Sequence, residues 1–232
     1  MRNLTTLGLD ADDTLWQCEH FFKLTEARFA ALLADYAEPS DLSARLLEAE
    51  RRNLEFYGFG TKGFVLSMIE TAIAITNSEV PAAIVREILS AGREMLTHPI
   101  LPLPHVRETL ESLNGAYRLV LITKGDLFDQ ERKLAQSGLG ELFHGIEIVS
   151  DKTPQTYSQV FHHHGDGPGR AAMIGNSLKS DIVPAIAAGS WGIFIPHELT
   201  WTLEHAEAPS DHPRFKQLNG FNELHEFIAK IS

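Results

Sequence analysis

A single cysteine, Cys18, excludes an internal disulfide within one chain and fits a reducing compartment, so cytoplasm is the expected location. Basic charge is also scarce: 20 lysines and arginines stand against 31 aspartates and glutamates, a formal net charge of -11. Nucleic-acid polymers and anionic membranes reward clustered Lys and Arg, so both are disfavoured as partners, and any phosphate-bearing ligand must be met by local positive charge. No apolar run reaches the length that spans a bilayer, and the N-terminus lacks the long apolar segment of a secretion signal, which predicts no membrane insertion. There is no convincing internal repeat. What remains is an ordinary globular composition, 44% hydrophobic and 22% charged, in a chain of 232 residues that suffices for two modest domains.

From about Cys18 to Thr97, apolar residues recur at intervals of three and four, the period of amphipathic helices. Phe21, Phe22, Phe29, Leu32 and Leu33 mark the first helix, and Leu42, Leu46, Leu47 and Leu54 the second. Phe64, Leu66, Met68 and Ile69 mark a third, and Val85, Ile88, Leu89 and Met95 close the set. Prolines 99, 102 and 104 punctuate the return to a different pattern. Short apolar runs at 7–9, 118–123, 146–149, 171–174 and 192–195 read as buried strands. Helices are expected between them at 105–113, 130–137, 156–162 and 180–188, with a packing helix at 224–231. This alternation predicts an α/β fold with parallel strands joined by right-handed crossovers. The expected division is a core of residues 1–16 and 99–232 interrupted by a helical insertion, residues 17–98. His162, His163 and His164 precede a Gly-Asp-Gly-Pro-Gly flank. Three adjacent residues cannot all face one point on a regular element, so the run is read as a solvated loop and not a metal site.

Asp10 and Asp12 directly follow the first apolar run. Carboxylates at positions i and i+2 project from one side of an extended chain, and such a pair shares a proton, splits its pKa values or holds a cation. An open α/β sheet presents its ligand crevice at the carboxyl ends of its strands, where these acids fall. Thr123, Lys152 and the 176–181 segment lie just beyond other strand ends. Singly, each has an ordinary structural use: a strand-end hydroxyl bond, a solvated cation, a helix cap. Together their chemistry is coherent. Carboxylates hold Mg²⁺, lysine offsets the charge of Asp10 and of a phosphoryl group, and a hydroxyl with nearby amides holds phosphoryl oxygens.

Asp10-x-Asp12-x-Thr14, Thr123, Lys152 within Asp151-Lys152-Thr153-Pro154, and Gly175-Asn176-Ser177-Leu178-Lys179-Ser180-Asp181, in that order, resemble the four motifs of the haloacid dehalogenase superfamily of hydrolases. The resemblance covers nearly the whole chain. It implies a Rossmann-like parallel sheet with helices on both faces, and a helical cap inserted between the first two motifs. It further implies a Mg²⁺-dependent phosphatase acting on a small phosphorylated metabolite through an aspartyl-phosphate. Asp10 would be the nucleophile and Asp12 the acid/base. Thr123 would bind the phosphoryl group, and Lys152 would pair with Asp10 and that same group. The Asp10 carboxylate, the Asp12 backbone carbonyl and Asp181 would hold the metal.

Asn176 stands where many members carry Asp, which removes a negative charge but keeps an oxygen that could reach the metal directly or through water. A phosphomutase, a haloacid dehalogenase and a non-catalytic binding protein are the competing readings. Displacement of halide needs no acid two residues after the nucleophile, so Asp12 favours phosphate chemistry. Within the cap, residues 51–53 and 56–63, with Lys62, are candidate substrate contacts. The arginines could equally lie on a solvated helix face. An exposed cap surface could support a homodimer.

Overall fold

The computed structural model describes residues 4–232. Its sheet has six parallel strands in the order β3-β2-β1-β4-β5-β6: β1 (Thr6–Leu9), β2 (Arg118–Lys124), β3 (Gly145–Val149), β4 (Ala171–Gly175), β5 (Trp191–Phe194) and β6 (Phe215–Gln217). Every residue of β1 and of β4 is buried, as expected of central strands covered on both faces. The chain steps outward from β1 to β2 and β3, then returns to the far side of β1 as β4. That reversal creates a switch point at the carboxyl ends of β1 and β4, the place where open α/β sheets bind ligands. Register makes the edge common, because Leu9 lies beside both Leu121 and Ile174.

Strand side chains alternate between the two faces. Leu7, Leu9, Leu119, Leu121, Ala172, Ile174 and Ile193 share one core with Val106, Leu110 and Leu113 of α5 (Val106–Leu113) and with Leu224 and Ile228 of α9 (Leu224–Ile231). Val120, Ile122, Ala171 and Met173 point the other way, into Tyr157, Val160 and Phe161 of α7 (Pro154–His164) and Ala185 of α8 (Val183–Ala187). This is the period of two expected of strands, expressed as two separate cores.

The chain divides into two compact units. One runs to Glu19 and includes Ile100–Lys124 and Gln130–Ser232; the other is His20–Pro99 with Gly125–Asp129. Nearly all of α1 (Glu19–Leu32), with α2 (Pro39–Tyr57), α3 (Thr61–Ile75) and α4 (Ala82–Thr97), builds the second unit. Its own core contains Phe29, Leu33, Leu42, Leu46, Phe64, Met68 and Ile88. The remaining helix, α6 (Leu127–Ser137), begins in the second unit and continues into the first. No helix among the described residues is long and apolar enough to cross a membrane.

Three local readings of the sequence need correction. The histidine run is not a loop, since α7 continues through His164 and ends at Gly165. The helix expected at 180–188 is present but begins earlier, as a wide π-helical turn, Leu178–Ile182, that runs into the short α8. Ile182 N–H reaches back five residues to Ser177 O at 3.2 Å, and Pro184 has no N–H with which to continue a regular ladder. Strand β6 went unread because it is three residues long, with two of the three exposed, and carries no apolar run.

Candidate active site

The β1 ladder persists through Asp10, whose N–H donates to Ile174 O at 2.9 Å. The chain then turns sharply. Leu15 N–H reaches Ala11 O at 2.7 Å, and Asp13 takes a left-handed φ of 59°, a conformation Asp tolerates better than most residues. The turn returns the Thr14 hydroxyl to Asp10, where it donates to Oδ2 at 3.1 Å. Thr14 Oγ1 also accepts from Asn176 N–H at 3.1 Å, tying the loop after β1 to the loop after β4.

Lys152 lies immediately before α7, a helix capped by Thr153 Oγ1, which accepts Thr156 N–H at 3.1 Å, and begun by Pro154. Its ammonium donates to Asp10 Oδ1 and, at 2.7 Å, to Asp181 Oδ1. The side chains of Lys152 and Asp181 are each 1% exposed. Burial alone would push the lysine pKa down, but the two carboxylates outweigh it and hold Lys152 above its ordinary value. Burial, reinforced by the Asp10 charge, pushes Asp181 up to about 7 even though Lys152 and the Ser177 N–H favour its ionised form. Ser177 N–H donates to Asp181 Oδ2 at 2.9 Å. Gly175 makes this seat possible, because a Cβ there would lie 2.2 Å from Asp181 Oδ2.

Asp12 occupies a different setting. Its carboxylate accepts from Lys133 Nζ at 2.9 and 3.0 Å, from Gln130 Nε2 at 2.8 Å and from Trp16 Nε1 at 2.7 Å. Burial raises its pKa, but Lys133 and these neutral donors more than compensate and leave it below the usual aspartate value. The expectation that carboxylates 10 and 12 would crowd together is thus resolved by separate lysines, one for each.

One Asn176 amide atom lies 3.2 Å from Asp10 Oδ2, 3.2 Å from the Asp12 carbonyl oxygen and 3.1 Å from Thr14 Oγ1. Thr14 has a single hydroxyl proton, which Asp10 already receives. Nitrogen at that amide position donates to all three neighbours; oxygen there adds a third acceptor to the Asp10 and Asp12 oxygens. Thr123 is buried near the end of β2, level with Ile148 of β3, and its hydroxyl has only a long 3.5 Å contact with Lys124 O.

Several residues of this region were not singled out by sequence reasoning. Gln130, Lys133, Leu134 and Ser137 are all buried and spaced along α6 as a core-facing stripe, so a lysine and a glutamine in an apolar period were the legible signal. Glu204 gave none, since it sits in an irregular stretch. Its buried carboxylate pairs with Lys124 at 2.6 Å, accepts from Ser177 Oγ at 2.5 Å and from Ser180 Oγ, and so braces the 177–180 turn. Within the helical unit, Arg51 pairs with Glu48 at 2.9 Å and Arg52 with Glu70 at 3.3 Å, both on the exposed side of α2, while Lys62 pairs with Asp126 at 2.9 Å.

This parallel-sheet fold with its carboxylate and lysine cluster defines a class. A family model described as haloacid dehalogenase-like hydrolase matches residues 4–189, and the chain belongs to that family. It is similar to the glyceraldehyde 3-phosphate phosphatase of Methanothermobacter thermautotrophicus, 26% identical over 218 residues that cover 90% of each chain. Among solved structures, a haloacid dehalogenase-like family hydrolase from Xanthomonas campestris is 41% identical, with a TM-score of 0.88 over 99% of this chain and 92% of that one. A family hydrolase from Bacillus subtilis, described as bound to magnesium, shares the fold at 18% identity, with a TM-score of 0.67 over 98% and 99% of the two chains.

Proposed function

We propose that the protein is a Mg²⁺-dependent phosphoric monoester hydrolase that acts on a small phosphorylated metabolite through an aspartyl-phosphate on Asp10. The observation that carries this reading is the buried cluster of Asp10, Lys152 and Asp181, in which two carboxylates share one ammonium. The name of the archaeal relative supports the choice of phosphate ester.

The residues fit a hard divalent cation. Mg²⁺ prefers oxygen ligands at about 2.0–2.1 Å in an octahedron, whose edges are then about 3 Å. The Asp10 Oδ2, the Asp12 carbonyl oxygen and the Asn176 amide lie 3.2 Å apart in the two measured pairs, and Asp181 adds a second carboxylate to the cluster. Burial first, and the Asp10 charge second, raise the pKa of Asp181, and a cation beside both carboxylates would offset each. Asp10, Asp181, the Asp12 carbonyl and the Asn176 oxygen would hold the ion. When bound, it would neutralise charge on the phosphoryl oxygens and on the attacking carboxylate.

Lys152 and the Thr14 hydroxyl hold the Asp10 side chain in place, so that a carboxylate oxygen can attack phosphorus while the bond to the leaving oxygen breaks. Thr123 and the backbone N–H groups beyond the strand ends hold the phosphoryl oxygens. Asp12 donates a proton to the departing alkoxide. As a carboxylate, it then takes a proton from water; the resulting hydroxide attacks phosphorus, breaks the bond to Asp10 and releases phosphate. The Lys133 pair keeps resting Asp12 ionised, which suits the second half of the cycle. The first half requires a protonated Asp12, so arrival of the substrate must loosen that pair and let Asp12 take from solvent the proton it passes to the alkoxide; the proton gained from water in the second half returns to solvent as the pair re-forms. We assign substrate choice to the helical insertion, residues 17–98, acting as a cap. Release of phosphate from p-nitrophenyl phosphate should need Mg²⁺ and vanish in Asp10→Asn. No turnover of any phosphate ester by the wild type would overturn the assignment.

A further inference from the structure

His163 and His164 end α7, and Glu147 stands in the middle of β3, the strand at one edge of the sheet. One ligand atom from each of the three lies within 4.8 Å of the others. His164 Nε2 is 2.6 Å from Glu147 Oε1, and the rings of His163 and His164 are 4.5 Å apart at an angle of 54°. The geometry points to a second metal site here, separate from the carboxylate cluster around Asp10, for a divalent transition ion of the zinc class.

Three features carry the assignment. The donor set is two imidazoles and one carboxylate, which suits zinc and its neighbours and does not suit Mg²⁺, an ion that takes oxygen. The His164 ring is seated, not free: a Cβ on Gly145 would fall 2.4 Å from His164 Nδ1, so only a glycine at the start of β3 lets the ring lie there. Packing one nitrogen against that glycine leaves Nε2 turned toward Glu147. The end of α7 also presents the negative end of a helix dipole, where Arg118 donates to the His164 carbonyl at 2.8 Å.

Zinc bonds of about 2.0–2.1 Å place tetrahedral ligands about 3.3 Å apart, so His164 and Glu147, at 2.6 Å, would part slightly while His163 closes by about 1.5 Å at most, within reach of rotation of its exposed side chain. Water would complete the coordination. His162 takes no part, because the cluster of ligand atoms comprises only Glu147, His163 and His164; its own Nδ1 lies 2.7 Å from Ser158 O on the preceding turn. Bound metal would fasten the edge strand β3 to the end of the helix that follows it.

The test is a titration of the full-length protein with Zn²⁺ alone, in excess Mg²⁺ so that oxygen-rich sites are filled, followed by calorimetry and by the imidazole signals in NMR. One equivalent should bind, shift the ring resonances of His163 and His164 but not His162, and raise Tm. His163→Ala, His164→Ala and Glu147→Gln should each weaken binding at least roughly tenfold, while His162→Ala leaves it unchanged. His163 is exposed, so its variant separates loss of a ligand from loss of fold, and phosphatase turnover should be untouched by it. Absence of Zn²⁺ binding, or binding equally strong in His163→Ala and Glu147→Gln, would overturn the site.

Discussion

Asp10 and Asp12 are two residues apart and each has its own lysine, yet the two settings are opposites. Around Asp10, two carboxylates compete for Lys152 in a space nearly closed to solvent, and burial, reinforced by the Asp10 charge, raises the pKa of Asp181. Around Asp12, one carboxylate meets one ammonium and two neutral donors at a partly exposed position, and its pKa falls. The first setting holds more carboxylate than ammonium, which is what the proposed cation would balance. The second is balanced and holds a single acid in a chosen direction. The proposed mechanism, a covalent bond at one carboxylate and proton movement at the other, calls for that asymmetry.

Removing the lysines should break the comparison most visibly. Lys152→Met leaves two buried carboxylates without their ammonium, so the metal-free protein should lose about 3–5 kcal/mol in urea unfolding. Turnover should disappear with it. Gly175→Ala should come next, at about 1–3 kcal/mol of overpacking, because the new methyl displaces Asp181; its sharper signature is weaker Mg²⁺ binding with little change in far-UV circular dichroism. Lys133→Met should cost about 1–2 kcal/mol and shift the pH–rate profile, since Asp12 then loses the charge that lowers its pKa.

Proton linkage sharpens the contrast further. In the metal-free protein, Asp181 binds a proton near pH 7, whereas the unfolded chain binds it near the ordinary 3.8. Stability from this group therefore grows as pH falls from 7 toward 3.8 and is lost as pH rises through 7. Asp12 acts in the reverse sense: its contribution is complete above 3.8 and is lost as pH falls below that through its depressed folded value. Tm measured against pH in a chelator should show both limbs; Asp181→Asn should flatten the neutral one and spare the acid one. Glu204→Gln should have the smallest effect, about 1 kcal/mol, because the Lys124 pair is lost but the amide can still bond Ser177.

Much of this was legible in the sequence for identifiable reasons. The strands of the two inner faces are uninterrupted apolar runs, and the helical insertion keeps a period near 3.6, so the α/β class followed from spacing alone. Asp10 could be singled out because it directly follows a strand, and Lys152 and Asp181 because they lie in the loop and turn beyond other strand ends and match the motifs of the resemblance. Their partners were harder. Glu204 reaches the site from an irregular segment with no period, and Lys133 lies on a helix face where a lysine reads as solvent-exposed unless the stripe around it is counted. The histidine run misled because a Gly-Pro flank suggests a loop, whereas α7 keeps its hydrogen bonds up to the glycine.

The common register of β1, β2 and β4 has a practical consequence. Strand β1 is only four residues long, and Asp10, the proposed nucleophile, is the next residue after it. Inserting one residue inside that strand would send Leu7 and Leu9 to the wrong core; inserting two would restore the faces but carry Asp10 about 7 Å past its lysine. The strand thus works as a ruler, and chains lengthened by two residues within it should remain folded while losing all turnover.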